Sequence, residues 1–66
     1  MEVVVNGKLK TLEGPTNLRQ LVELLELKAD RCAIELNRQI VRRTEWESTL
    51  LSPKDELEIV QFVGGG

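Results

Sequence analysis

Histidine and tyrosine are missing from this chain, cysteine occurs once, at Cys32, and Trp46 and Phe62 are the only aromatic residues. Without histidine and with a single thiol, one chain can build neither a disulfide nor a Cys/His zinc cage, and the commonest general base is gone. A lone cysteine suits a reducing setting, so a cytoplasmic location is expected. No apolar run approaches the roughly 20 residues that a membrane helix needs, and the opening MEVVVNGKLK lacks the basic start and long apolar stretch of a secretory signal. Nine basic residues against eleven acidic ones give a net charge of −2. The basic, aromatic footprint of a nucleic-acid binder is therefore absent, and neither nucleic acid nor membrane is an expected partner.

The chain has 66 residues. At that size folding buries only about 60% of the surface of the unfolded chain, and an enclosed pocket of several hundred Å³ is hard to fit. An independent active site and a bound cofactor are not expected, and the free protein is expected to be a monomer. Lys54, Asp55, Glu56 and Leu57 spell KDEL, but that retention signal is read only at a free C-terminus, and here it is internal.

What is present reads as alternating strands around one helix. Val3, Val4 and Val5 precede Asn6-Gly7, and Lys8 to Leu12 then alternate polar with apolar, which marks a hairpin. A two-residue turn would pair Val4 with Leu9 and put Lys8 and Lys10 on the face of Val3 and Val5. A three-residue loop over Asn6 to Lys8 would instead set Val5 opposite Leu9, facing inward, and is the expected register, because a one-residue slip turns every side chain over. Gly14-Pro15 breaks the chain, and Asn17 with Gln20 has the layout of a capping box. Leu18, Leu21, Val22 and Leu25 form one helical stripe, with the helix ending around Leu27 to Asp30.

Cys32 to Asn37 reads as a third strand with Ile34 and Leu36 inward and Ala33 and Glu35 outward, and Ile40-Val41 as a fourth. Thr44 with Glu47 is a second capping-box pattern, predicting one helical turn over Glu45 to Thr49 that brings Trp46 onto the core edge. Ser52-Pro53-Lys54-Asp55 is a turn. Leu57 to Val63 alternates as a last strand, with Leu57 and Ile59 on one face and Glu58, Val60 and Phe62 on the other. The organisation is a domain over residues 1–63 followed by a flexible tail over 64–66. The fold class is α+β, a mixed sheet with one main helix across one face. It resembles the ubiquitin-like β-grasp layout, in which the first and last strands lie side by side and parallel.

Gly64, Gly65 and Gly66 end the sequence. Taken alone, three terminal glycines are what a frayed end would also show. Their functional reading is a strap that carries the Gly66 carboxylate through a narrow passage to a partner's nucleotide, since only glycine lets backbone approach so closely. A carboxylate is a poor electrophile. Attack on ATP would make an acyl-adenylate, which a sulfur nucleophile could convert to a thiocarboxylate, splitting one difficult substitution into two easier ones.

Ala33-Ile34-Glu35-Leu36-Asn37, then Gln39-Ile40-Val41 and Arg43 with Trp46 downstream, ending in Gln61-Phe62-Val63-Gly64-Gly65-Gly66, resembles the ThiS family of sulfur carriers in thiamine biosynthesis over essentially the whole chain. The resemblance implies adenylation at Gly66 by an E1-like activating enzyme that uses ATP, conversion to a thiocarboxylate with a sulfur-donor protein, and delivery to thiazole synthase. Gly65 would be the other half of the family's diglycine. Many members carry proline after the Ile-Val pair, where this chain has Arg42. Within the same chemistry a molybdopterin-synthase small subunit is the rival reading. A protein-conjugating ubiquitin-like modifier and a plain β-grasp binding module are the others.

Val60 and Phe62, if the last strand neighbours the third, lie beside Ala33 and Glu35 on the face opposite the helix, and form the candidate docking patch with Phe62 as its anchor. Arg31, Arg38, Arg42 and Arg43 could steer an acidic partner, but solvated loop charges account for them more simply. Cys32 reads as a small buried hydrophobe whose thiol is inert.

Overall fold

The computed structural model describes residues 1–62. Five strands, β1 (Glu2–Val5), β2 (Lys8–Thr11), β3 (Cys32–Leu36), β4 (Gln39–Val41) and β5 (Glu56–Gln61), form one sheet in the order β2-β1-β5-β3-β4. The chain's first and last strands are parallel neighbours, and every other pairing is antiparallel. The helix α1 (Leu18–Leu24) lies across one face, and two short 3-10 turns, Ala29–Arg31 and Arg43–Glu45, fill the connections. Leu18, Leu21 and Val22 of the helix form one buried cluster with Val3, Ile34, Leu57 and Ile59 of the sheet, and Leu12, Trp46 and Leu51 complete it. Every buried side-chain nitrogen and oxygen among the described residues has a hydrogen-bond partner.

The first hairpin departs from its expected register. Val4 stands opposite Leu9 and Val5 opposite Lys8, the pairing of a two-residue turn. Asn6 and Gly7 have φ of 50° and 81°, the doubly left-handed turn whose twist matches the flanking strands. Leu9 is consequently on the outer face and 66% exposed. The inward apolar residue of that stretch is Leu12, one step beyond β2, and its amide is held by the Met1 carbonyl at 2.7 Å.

The capping box at Asn17 forms as expected: the Asn17 side chain accepts from the Gln20 amide at 2.8 Å, and Gln20 Oε1 accepts from the Asn17 amide at 2.9 Å. The helix stops earlier than its leucine stripe implies. Glu26 sits at φ 59°, its amide donates to the Glu23 carbonyl at 3.0 Å, and the Leu27 amide donates to the Val22 carbonyl at 3.1 Å. This is a Schellman ending, built on glutamate where glycine would have announced it.

The second capping-box pattern does not form a cap. The turn there runs over Arg43–Glu45, is of 3-10 type, and has Arg42 at its N-cap with no side-chain hydrogen bond. Trp46 is 1% exposed, inside the core and not at its edge, and its indole N–H donates to the Val41 carbonyl at 3.0 Å. Burial of this large ring with its polar handle satisfied sets the path of the segment. Arg42 has φ −67°, the value to which a proline ring would lock the chain, so arginine at this position leaves the geometry of the turn intact.

Candidate functional site

The two faces of the sheet are set by the alternation along each strand. Leu57 and Ile59 of β5 point to the helix, so Glu58, Val60 and then Phe62 point away from it. In β3 the residues opposite them are Glu35, which pairs Glu58, and Ala33, which pairs Val60. Ala33, Glu35, Val60 and Phe62, the four expected docking residues, therefore share the outer face. Val60 is 54% and Phe62 61% exposed. Phe62 lies just past β5, yet its amide still donates to the Arg31 carbonyl at 2.7 Å, which fixes the backbone from which the ring projects.

Sequence reasoning missed Ile40. It stands opposite Glu35 in the β3–β4 ladder and is 77% exposed. Ala33, Glu35, Ile40, Glu58 and Val60 together line a shallow depression of about 80 Å³. The signal was available: with Ile34 inward and a two-residue Asn37-Arg38 turn, Ile40 has to face outward beside Glu35. Glu35 and Glu58 face each other directly, a pairing of like charges that a sheet ordinarily avoids.

The arginines are not gathered into one site. Arg38 sits in the β3–β4 turn with φ 71°, at the opposite end of β3 from Arg31. Arg43 turns back to the Ala29 carbonyl at 3.4 Å and lines an open groove with Arg19, Thr44 and Glu47. Cys32 is half-buried. Burial, with the Asp30 carboxylate adding to it, pushes its thiol above the ordinary value, the opposite of what an activated nucleophile needs. Among the described residues no group of three His, Cys, Asp or Glu side chains could hold a metal ion, and no helix is long and apolar enough to cross a membrane. Gly64, Gly65 and Gly66, the expected tail and modification site, lie outside the described residues.

The sequence profile of the ThiS family matches residues 3–66. The chain belongs to the ThiS family. The crystal structure of the thiamine biosynthesis protein ThiS from Geobacter metallireducens superposes with a TM-score of 0.84 at 32% identity, covering 100% of both chains. This ThiS-family chain thus has the ubiquitin-like β-grasp fold, the mixed five-stranded sheet with its single helix. The sulfur carrier protein ThiS of Escherichia coli is 24% identical over 66 residues, again covering 100% of both. A thiazole synthase of Magnetococcus marinus is 32% identical over all 66 residues, which span 20% of that longer protein. The ThiS relationship places the chain among the sulfur carriers of thiamine biosynthesis.

Proposed function

We propose that the Gly66 carboxylate is the working group of this ThiS-family protein and that the domain itself catalyses nothing. A partner adenylating enzyme of the E1 type would bind ATP; the carboxylate attacks the α-phosphorus, pyrophosphate leaves, and an acyl-adenylate forms at Gly66. Sulfide-level sulfur released by a donor protein then attacks the acyl carbon and AMP leaves with one of the carboxylate oxygens, so that this oxygen is exchanged for sulfur. The thiocarboxylate gives that sulfur to thiazole synthase. The carrier binds no cofactor of its own in this reading, and contributes position and reach through Gly64 and Gly65.

The observation that carries the proposal is the family match, which runs through the three glycines to residue 66. The residue inventory supports it, because a chain without histidine and with only a deactivated thiol has no side chain suited to this chemistry. Thiazole synthase as recipient is supported by the Magnetococcus relative, whose chain contains a counterpart of this entire domain. Val60, Phe62, Ala33 and Glu35, now joined by Ile40, are the proposed docking surface. An exposed apolar area of this kind, with its strand leading to the tail, suits a protein whose terminus must be presented to several enzymes.

Intact mass spectrometry after incubation with ATP, an adenylating enzyme of the same organism and a sulfur source is the test. The expected product carries one sulfur in place of one oxygen at the terminus, and deletion of Gly66 abolishes it while the fold persists. Isopeptide-linked adducts on lysines would replace this reading with that of a modifier. Normal sulfur loading of the truncated chain would refute the assignment to Gly66.

A further inference from the structure

Only part of β5 is paired on both sides. The Asn37 amide donates to the Glu56 carbonyl at 2.8 Å and the Phe62 amide to the Arg31 carbonyl at 2.7 Å. By the alternation of an antiparallel ladder, Glu56, Glu58, Val60 and Phe62 therefore aim their backbone groups at β3. Leu57, Ile59 and Gln61 aim theirs the other way, toward β1. That strand pairs with β5 only over Val4–Glu56 and Val5–Leu57, and the Asn6 amide takes the Leu57 carbonyl at 2.8 Å.

At Ile59 the backbone of β1 has already turned back, and the Asn6 side chain takes its place. Asn6 Oδ1 accepts from the Ile59 amide at 2.7 Å, and Nδ2 donates to the Ile59 carbonyl at 3.1 Å. A carboxamide carries the donor and acceptor of a peptide group, so Asn6 imitates one residue of a continuing strand. Two residues on, nothing among the described residues repeats this for Gln61. Gln61 is itself exposed, just past the point where β1 turns away. One N–H and one C=O in strand spacing are left to solvent, and another extended backbone can take both at once.

We infer that the β1-side edge of β5 at Gln61 is where a partner enzyme adds an extended segment of its own main chain to this sheet. Such strand addition fixes the direction of the chain leaving the domain before the terminus reaches the partner's active site. The inference rests on the reading that partners take up the C-terminal residues, and concerns how they grip the strand in front of them.

Amide hydrogen exchange on the intact protein, free and saturated with the thiazole synthase of the same organism, tests it. The Gln61 amide is expected to exchange readily in the free protein and at least about tenfold more slowly in the complex, while Phe62, already bonded to Arg31, changes less. Gln61→Pro removes that N–H and no bond to β3, a position where a strand tolerates proline. It should fold normally and bind thiazole synthase about tenfold more weakly, the worth of one good hydrogen bond, whereas Gln61→Ala, which keeps the amide, should bind as the parent does. An unprotected Gln61 amide in a saturated complex, or undiminished binding by the proline variant, overturns strand addition while leaving the carrier function standing. Failure of the parent protein itself to bind thiazole synthase overturns the carrier reading and this inference with it.

Discussion

The inner and outer faces of the sheet are made from the same strands, and both carry apolar side chains, yet only one is covered. Val3, Ile34, Leu57 and Ile59 are buried under α1, whereas Ile40, Val60 and Phe62 stand in solvent on the other side. In a domain this small the single helix can cover only one face. Alternation alone therefore says that two faces exist, and the position of the helix says which one holds the fold together. Apolar side chains on the remaining face contribute nothing to that core, and exposed apolar area of this kind is what a partner surface covers.

The contrast is sharpest where one residue of each kind is truncated. Ile34→Ala removes a branched side chain from the centre of the inner face and should lower unfolding stability by about 2–5 kcal/mol, measured by urea denaturation. Phe62→Ala removes a larger side chain from the outer face and should change stability by no more than about 0.5 kcal/mol, because the ring is largely hydrated already. Its cost should appear in partner affinity, by about 2 kcal/mol if it anchors the docking patch, as read by titration calorimetry against thiazole synthase. Equal stability losses in the two variants would erase the distinction between the faces, and unchanged affinity of the Phe62 variant would remove the patch.

The same contrast explains what could be read from the sequence. Asn-Gly located the hairpin, and the stripe Leu18, Leu21, Val22 located the helix, because those signals depend on neighbours a few residues apart. Hydrophobicity alone puts Leu9 in the core and so points to the wrong hairpin register, because an outer apolar residue looks the same in sequence as an inner one. Leu12 fills that role instead. Glu26 hid the end of the helix, since its left-handed conformation carries no glycine to mark it. Asn17/Gln20 and Thr44/Glu47 have the same spacing, but only the first became a cap. At the second, burial of Trp46 and its bond to the Val41 carbonyl decided the path, and a capping pattern contains no information about a tryptophan's distant pocket. On the outer face, Ala33, Glu35, Val60 and Phe62 could be gathered from alternation once β5 was assumed to neighbour β3. Ile40 needed the β3–β4 register as well.

The smallest effect expected on the outer face concerns charge. Glu35 and Glu58 are direct cross-strand partners, both exposed, on a face where the next outward residue along β5 is Glu56. Like charges set opposite each other cost a sheet a few tenths of a kcal/mol, and because the pair is of the hydrogen-bonded kind its side chains diverge, which keeps the cost low. Glu58→Gln should therefore raise stability by about 0.2–0.5 kcal/mol at low ionic strength. The gain should vanish near 1 M salt, where the screening length falls to about 3 Å. Urea melts of both proteins at the two salt concentrations measure it. A gain that survives high salt would mean that the glutamine packs better, and that repulsion between the carboxylates is not the cause. If the same variant also binds thiazole synthase more weakly, then a carboxylate that slightly destabilises the free domain is one that the partner uses, and the outer face differs from the inner one in purpose as well as in exposure.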